Sequence, residues 1–190
     1  MQVLKDDIRA SIIKAASDEF YVKGYIGSSM RDIAKRAGVS LSNPYNYFPN
    51  KNELFSEVTT PMRNTITEIF NESVNSGFST GNEFNGYAEK LAERLAQLSE
   101  ENRKSIIILM EKSEGTESGM TKEEISSMLE KHFAEELGAD DSCVYKLIAS
   151  NFLSGILAIL KEDNNLNIEN GLKKYLKYHI SGVASLKGRG

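Results

Sequence analysis

Residues 42–51 of this 190-residue chain, SNPYNYFPNK, offer hydroxyl, amide and ammonium groups but no carboxylate. Hydroxyls and amides can pair with the edges of nucleic-acid bases, while tyrosine and lysine can reach phosphate oxygens. An ordinary surface helix would carry Glu and Lys on such a face. The pattern therefore indicates either a nucleic-acid contact or a plain solvated helix. If the segment is helical, the residues off its packed stripe are Ser42, Asn43 and Asn46, with Tyr47 and Lys51 at the edge.

A first helix is predicted ahead of this segment by apolar residues that recur at helical spacing. Gly24 follows as its C-terminal stop, because glycine readily adopts the left-handed conformation that ends many helices. The apolar stripe of this helix consists of Ile8, Ile12, Ala16 and Phe20.

A second, shorter helix is predicted next. Ser28 or Ser29 can cap its N-terminus, and Asp32 stands three residues after Ser29, as the acidic residue of a capping box does. Gly38 supplies its stop. Its apolar positions are Met30, Ile33, Ala34 and Ala37.

A third helix is predicted after the tight turn Gly-Val-Ser, with Ser40 as its cap. Pro44 lacks a backbone N–H and disfavours the α conformation in the residue before it. This helix should therefore open irregularly or start at Asn43, which would make Pro44 its first residue. Three short helices with a tight middle turn form a helix-turn-helix arrangement. The apolar stripe predicted for the third helix is Leu41, Pro44, Tyr45 and Phe48.

Residues 8–55 resemble the TetR (tetracycline-repressor-like) family of transcriptional regulators. The resemblance implies an all-α protein with a helix-turn-helix DNA-binding head, a helical effector-binding and dimerisation body, and a homodimer on a pseudo-palindromic double-stranded DNA operator. Ser42 departs from the glycine and Pro44 from the leucine or isoleucine of many members. The matching residues are Gly24-Tyr25, Ser28-Ser29-Met30-Arg31-Asp32-Ile33-Ala34, Ala37-Gly38-Val39-Ser40, Tyr45-Asn46-Tyr47-Phe48, Lys51 and Leu54.

The resemblance also implies which residues meet DNA. The residues that correspond to phosphate contacts are Ser28, Ser29, Tyr47 and Lys51. Those at positions that reach bases or the nearby backbone are Arg31, Leu41, Ser42, Asn43, Tyr45 and Asn46.

Charge is distributed unevenly along the chain. Residues 1–51 hold eight basic and five acidic residues, a net charge of +3, whereas the remainder holds fifteen basic and twenty-two acidic residues, a net charge of −7. A basic head on an acidic body is typical of a regulator whose head meets DNA, although many soluble enzymes show similar asymmetry. We predict a DNA-binding domain at 1–51 and a body at 52–190, with 52–76 as a connecting helix.

The body is predicted to be helical throughout. Pro61 should kink or split the connecting helix, residues 76–82 should form a loop, and a pocket for a small-molecule effector is expected in this part of the chain. Apolar and aromatic residues that could line the pocket, or equally serve as core, are Met62, Ile66, Tyr87, Met110 and Phe152. The further helices are predicted at 83–99, 102–112, 121–137, 141–161 and 168–186.

The helix at 141–161 is apolar nearly all round, which predicts burial on every side. One face would pack within the chain and another against a second subunit; the alternative is a fully internal helix. The predicted dimer-interface residues are Phe152, Gly155, Ile156, Ile159, Leu172 and Leu176.

Catalytic chemistry is not apparent in the sequence. The two histidines, His132 and His179, lack metal-ligand spacing, no glycine-rich phosphate loop occurs, and no nucleophile stands with a base, so we predict neither enzyme, metal nor cofactor. With one cysteine, no signal-peptide pattern and no apolar block long enough for a bilayer, the protein is expected in the cytoplasm, away from membranes. We predict a ligand-responsive repressor; the alternative is an architectural DNA-binding protein without an effector.

Overall fold

A computed structural model of the chain describes residues 2–76, 82–116, 122–137, 142–162 and 165–186. Within these ranges every regular element is a helix, which confirms the all-α prediction. The predicted loop at 76–82 lies almost entirely outside them. The helices are α1 (Gln2–Gly27), α2 (Met30–Ala37), α3 (Ser42–Tyr47), α4 (Lys51–Ser76), α5 (Asn82–Glu111), α6 (Lys122–Leu137), α7 (Ser142–Leu160) and α8 (Asn165–Leu186).

The local signals around α1 and α2 act as predicted. Gly24 interrupts α1 with φ 71° and ψ 173°, and one further turn follows to Gly27. Ser29 caps α2 through its side chain, which accepts a hydrogen bond from the backbone N–H of Asp32 at 3.1 Å. Gly38 ends α2 in the left-handed region, with φ 70°. These ends are set by residues next to them in sequence, because capping satisfies backbone groups that the helix itself leaves unpaired.

The start of α3 differs from the prediction. Leu41, in helical conformation, occupies the cap position without a side-chain cap bond, and Ser40 is not the cap. The backbone N–H of Asn43 instead donates to the carbonyl of Ser40 at 3.0 Å, so a tight turn leads directly into the helix. Pro44 is the third helical residue, within the first turn, where a missing N–H costs no helical hydrogen bond.

The apolar stripe predicted for α3 is only half correct. Pro44 and Phe48 are buried, but Leu41 and Tyr45 are 47% and 51% exposed. Tyr47, predicted at the edge of the polar face, packs against the core. A helix of six residues makes fewer than two turns, so its orientation depends on the neighbours of Pro44 and Phe48 more than on its own periodicity.

The core of the N-terminal part is built around aromatic rings. Phe20 and Phe55 pack edge-to-face with ring centroids 5.1 Å apart, and Tyr25 meets Phe55 similarly at 5.2 Å. Ile108, from the second half of α5, joins the same core. Its buried members are Ile12, Ala15, Ala16, Phe20, Met30, Ile33, Phe48, Leu54, Phe55, Val58 and Ile108.

The chain forms two compact units. The first, called the head unit here, comprises residues 1–67 and 104–121; the second, the body unit, comprises 68–103 and 122–190. Helices α4 and α5 each contribute residues to both. The predicted functional boundary after residue 51 stays a prediction.

The sequence predicts a kink or split at Pro61 in the first long helix and a division near residue 100 further on; the division is present. Helix α4 continues through Pro61, so the chain is not split there. A helix can accommodate an exposed proline when only one backbone hydrogen bond is lost. Helix α5 does contain a non-helical residue, Asn102, with φ −130° and ψ 16°, at the predicted division between two helices.

In the body unit, α7 packs against both α6 and α8. Glycines make the α7–α8 approach close: a Cβ added at Gly155 would lie 2.2 Å from the ring of Tyr175, and one at Gly171 would lie 3.1 Å from Ile159. Gly155 and Gly171 therefore serve contact between α7 and α8 within the chain. A second cluster of buried residues consists of Phe133, Tyr145, Ala149 and Val183.

Helix α7 is not buried on every side within the chain. Val144 and Leu147 are 41% and 58% exposed, and Ser150, Asn151 and Ser154 are exposed as well. By length and composition the window Cys143–Leu160, with a mean hydropathy of 1.7, could cross a membrane, a longer stretch than the apolar block considered in the sequence. Core helices of soluble proteins meet the same criterion, and 33% of this window is buried.

Candidate nucleic-acid interface

The predicted contact residues on α3 form one continuous exposed surface. Leu41, Ser42, Tyr45 and Asn46 are exposed, and Asn43 is half-buried beside them. Ser42 shares a 3.0 Å hydrogen bond with Ser40. Tyr47 lies on the opposite side, half-buried against the core, and is not part of this surface. The surface that remains presents two hydroxyl groups, two amides and one leucine side chain.

The predicted contacts before α2 differ in accessibility. Ser28 is 5% exposed, and its hydroxyl donates to the carbonyl of Gly24 at 2.6 Å. Ser29 is half-buried, and its hydroxyl donates to a carboxylate oxygen of Asp32 at 2.9 Å. Arg31, in the first turn of α2, is exposed. Of these three side chains, Arg31 is the one with an open approach to a ligand.

Lys51, the first residue of α4, points into the head unit. Its ammonium donates to the carbonyl oxygens of Tyr25 at 2.7 Å and of Ser28 at 2.9 Å. The same nitrogen lies 4.2 Å from the centroid of the Tyr25 ring. Burial lowers the pKa of Lys51, because the charged form loses solvation there.

An ion cluster around the buried carboxylate of Glu19 joins α1 to α2, and the sequence analysis does not predict it. The carboxylate of Glu19, 2% exposed, lies 2.6 Å from the ammonium of Lys23 and accepts a 3.0 Å hydrogen bond from the Arg36 side chain. Lys23 also contacts Asp32 at 3.3 Å. The hydrogen bond to Glu19 is the largest influence that raises the pKa of Lys23, whereas the Ser29 hydroxyl, followed by Lys23, lowers the pKa of Asp32. The available signal was the i, i+4 spacing of Glu19 and Lys23.

Further contacts tie the end of α3 and the start of α4 to the rest of the head unit. Arg9 forms a 2.6 Å ion pair with Glu57 and lies over the ring of Phe48, 5.4 Å from its centroid. Asn52 accepts a 3.0 Å hydrogen bond from Thr116. These contacts fix the C-terminal end of α3 and the first turn of α4. The exposed surface of α3 therefore has a defined orientation within the head unit.

The predicted pocket residues are divided between the two units. Met62, Ile66 and Met110 belong to the head unit, where Met62 and Met110 are buried, whereas Phe152 belongs to the body unit. The side chain of Tyr87 lies outside the described residues. Within the described part of the chain, no cluster of His, Cys, Asp and Glu could hold a metal ion.

The predicted dimer residues lie mostly inside the body unit. Leu172 and Leu176 are fully buried, Ile156 is 8% exposed, and Gly155 and Ile159 face α8. Phe152 stacks on His179 with ring centroids 5.0 Å apart. The large apolar side chains that α7 and α8 leave outside are instead Val144, Leu147, Tyr178 and Leu186.

Comparison with known proteins finds a family match in the head unit. Residues 12–58 match the family model of bacterial regulatory proteins of the tetR family. Over 61 residues the chain is 31% identical to the uncharacterized HTH-type transcriptional regulator YdgC of Bacillus subtilis (strain 168), covering 32% of this chain and 31% of that protein. The match thus spans less than a third of that relative.

Two solved structures share the fold over nearly the whole chain. A transcriptional regulator (TerR/AcrR family) from Aquifex aeolicus VF5 aligns with a TM-score of 0.57 and 23% identity over 90% of this chain and 98% of that one. The transcriptional regulator FadR from Bacillus subtilis, solved in complex with stearoyl-CoA, aligns with a TM-score of 0.54 and 18% identity over 92% and 98%. Helices α2 and α3 lie inside residues 12–58, so the part of this chain that matches the tetR family of bacterial regulatory proteins is its helix-turn-helix segment.

Proposed function

We propose that this protein is a transcriptional repressor that binds double-stranded DNA through the exposed surface of α3 and leaves it when a small molecule binds. The observation that carries the proposal is that surface itself. Leu41, Ser42, Tyr45 and Asn46 are exposed on a helix whose other side is anchored by Pro44 and Phe48. Amides and hydroxyls can read base edges in the major groove, and an apolar side chain can contact a thymine methyl group.

The charges around α3 support a polyanionic partner. From residue 33 to residue 52 the chain contains no Asp or Glu, whereas Lys35 and Arg36 lie on α2 and Arg31 is exposed at its start. Basic side chains that neutralise phosphates release counterions, which supplies much of the affinity for DNA. The absence of carboxylates removes the repulsion that would oppose it.

We propose that the protein acts as a homodimer through the outer side of α7 and α8. Val144, Leu147 and Tyr178 form the apolar part of this surface, and Tyr178 is 75% exposed. A second copy would cover them. A symmetric dimer presents two recognition helices to half-sites about 34–36 Å apart along one face of the DNA, so the operator would be a pseudo-palindrome.

The effector proposal rests on the body unit and on one relative. The body unit contains three packed helices, more chain than a two-helix dimer contact needs, and FadR with a similar fold was solved with stearoyl-CoA. A ligand can release DNA only by binding better to a state with the wrong spacing of recognition helices. An architectural DNA-binding protein, the alternative, would lack this response.

The test is to map the DNA that the purified protein protects upstream of its own gene. We expect two protected half-sites about one helical turn apart, and at least one compound from a screen that abolishes both. Uniform protection at every sequence, unaffected by any compound that stabilises the protein thermally, would favour the architectural alternative.

A further inference from the structure

Lys51 makes an unusual set of contacts for a lysine beside a DNA-binding surface. Its ammonium has three N–H groups, and two of them donate to the carbonyl oxygens of Tyr25 and Ser28. The nitrogen also lies over the Tyr25 ring, where a cation is attracted to the π electrons. A lysine that mainly served an external phosphate would leave these donors directed to solvent.

The two carbonyls belong to a turn that has a defined role in the head unit. Tyr25 lies in the last turn of α1, after the break at Gly24, and Ser28 precedes the cap residue Ser29 of α2. Carbonyl oxygens at a helix C-terminus carry partial negative charge and lack helical partners, so they are good acceptors for an ammonium. One lysine on α4 therefore joins the end of α1 to the start of α2.

The turn is also held from its other side. The backbone N–H of Tyr25 donates to the carbonyl of Lys112 at 2.9 Å, and the N–H of Ser28 donates to the carbonyl of Tyr25 at 3.3 Å. Ile26 packs on Gly115, where an added Cβ would approach within 2.9 Å. The position of α2's first turn thus depends on a small number of contacts, of which the Lys51 pair is the charged one.

We propose that Lys51 is a positioning residue for DNA binding, which fixes the Tyr25–Ser28 turn and thereby the N-terminus of α2, rather than a phosphate contact. This inference rests on the proposed DNA-binding function. It predicts that loss of the ammonium misorients Arg31 and α2, the helix that leads into α3. The number of DNA phosphates neutralised by the protein should stay the same. A lysine-to-arginine change should not restore the position, since the planar guanidinium cannot reproduce a compact ammonium shared by two carbonyls and a ring.

The experiment measures operator affinity over a range of salt concentrations for Lys51→Met, Lys51→Arg and the matched control Lys35→Met. Lys35 is an exposed cation on α2, so its removal reports what the loss of one head charge does. We expect Lys51→Met to bind about tenfold more weakly at every salt concentration while keeping the salt slope of the unaltered protein, and Lys51→Arg to remain weak. A slope for Lys51→Met that is smaller by about 0.9 than that of the unaltered protein, with full rescue by arginine, would overturn the proposal.

A second measurement uses the unaltered protein and does not depend on folding of the variants. Reductive methylation of lysines, followed by mass spectrometry, should modify Lys35 readily and Lys51 slowly, both with and without operator DNA. Lys51 that is reactive in the free protein and protected only by DNA would contradict the positioning role. Because the free-protein arm requires no DNA, it separates failure of this inference from failure of the DNA-binding proposal.

Discussion

Helices α3 and α7 both expose large apolar side chains, but the surroundings of those side chains differ. On α3, Leu41 and Tyr45 stand among uncharged polar residues on a six-residue helix next to exposed basic residues. On α7, Val144 and Leu147 occupy one side of a nineteen-residue helix whose other side is packed against α6 and α8. Exposure alone therefore does not identify a partner. Helix length and neighbouring charge distinguish the two partners proposed for these helices. A protein interface needs a large buried area, whereas a DNA interface needs positive potential.

The largest effect that would break this comparison is expected at α7. Leu147→Glu should convert the proposed dimer to a monomer, since it introduces a charge where a second copy would bury apolar surface, and the residue is too exposed to disturb the fold. Binding to an operator with two half-sites should fall by about 100-fold or more through loss of bivalency. Sedimentation at micromolar concentration and titration with operator DNA measure both.

A matched control for that variant is Val22→Glu, which places the same charge at a residue of the head unit that is 63% exposed. This variant should sediment as the unaltered protein does. If Leu147→Glu also stays dimeric, the exposed side of α7 serves something other than self-association, and the contrast between α7 and α3 loses its basis.

A smaller effect should sharpen the assignment of α3. Asn46→Ala removes an exposed amide that can form two hydrogen bonds to a base edge, so operator affinity should fall by about 1–3 kcal/mol and discrimination between bases should relax at one position of each half-site. Competition binding with operator variants measures both. Asn64→Ala, at an exposed asparagine of α4, is the control and should bind normally. Equal losses at every operator variant would show that Asn46 does not read a base.

The smallest predicted effect concerns the packed side of α7. His179 is half-buried against Phe152 and Tyr175 and lies 3.2 Å from the carbonyl of Ile148; burial lowers its pKa below the ordinary value of 6.5. The unfolded chain therefore binds a proton more readily than the folded one. The free energy of unfolding should fall as the pH drops below 6.5. Above pH 6.5 the stabilisation that comes from the neutral His179 ring should be fully present.

Denaturant unfolding between pH 5 and pH 7.5 measures this dependence. The variant His179→Phe should show a shallower fall than the unaltered protein, while His132 remains in both and cancels from the comparison. Identical pH dependence in the two proteins would mean that the ring stays hydrated or accessible to a proton in the folded state.

How far the fold could be predicted depended on the range of the interactions involved. Ser29, Gly24 and Gly38 were recognised because each acts on backbone groups within a few residues of itself. The break at Asn102 also lies at the boundary predicted between the helices at 83–99 and 102–112. The continuity of α4 through Pro61 was not visible, because one lost hydrogen bond at an exposed proline does not end a helix whose neighbouring residues Val58, Thr59 and Met62 are buried.

The candidate site was predictable in outline and less so in detail. The polar face of α3 follows from residue types, but helical periodicity wrongly assigns Leu41 and Tyr45 to its packed stripe. Their outward orientation depends on Phe48, which lies in a core that also contains residues of α1, far away in sequence. The same holds for Glu19, whose partner Arg36 comes from another helix.

The sequence by itself determined that the described part of this chain is helical, where α2 begins and ends, and which ten-residue segment has the composition of a DNA-contact surface. Those properties arise from propensity, capping and charge, which act over a few residues. Only the tertiary structure decided that Lys51 is directed at the carbonyls of Tyr25 and Ser28, and that α7 keeps one apolar side exposed. An ammonium finds its acceptors, and a helix its buried face, only when distant segments have packed together, since both are properties of neighbours in space.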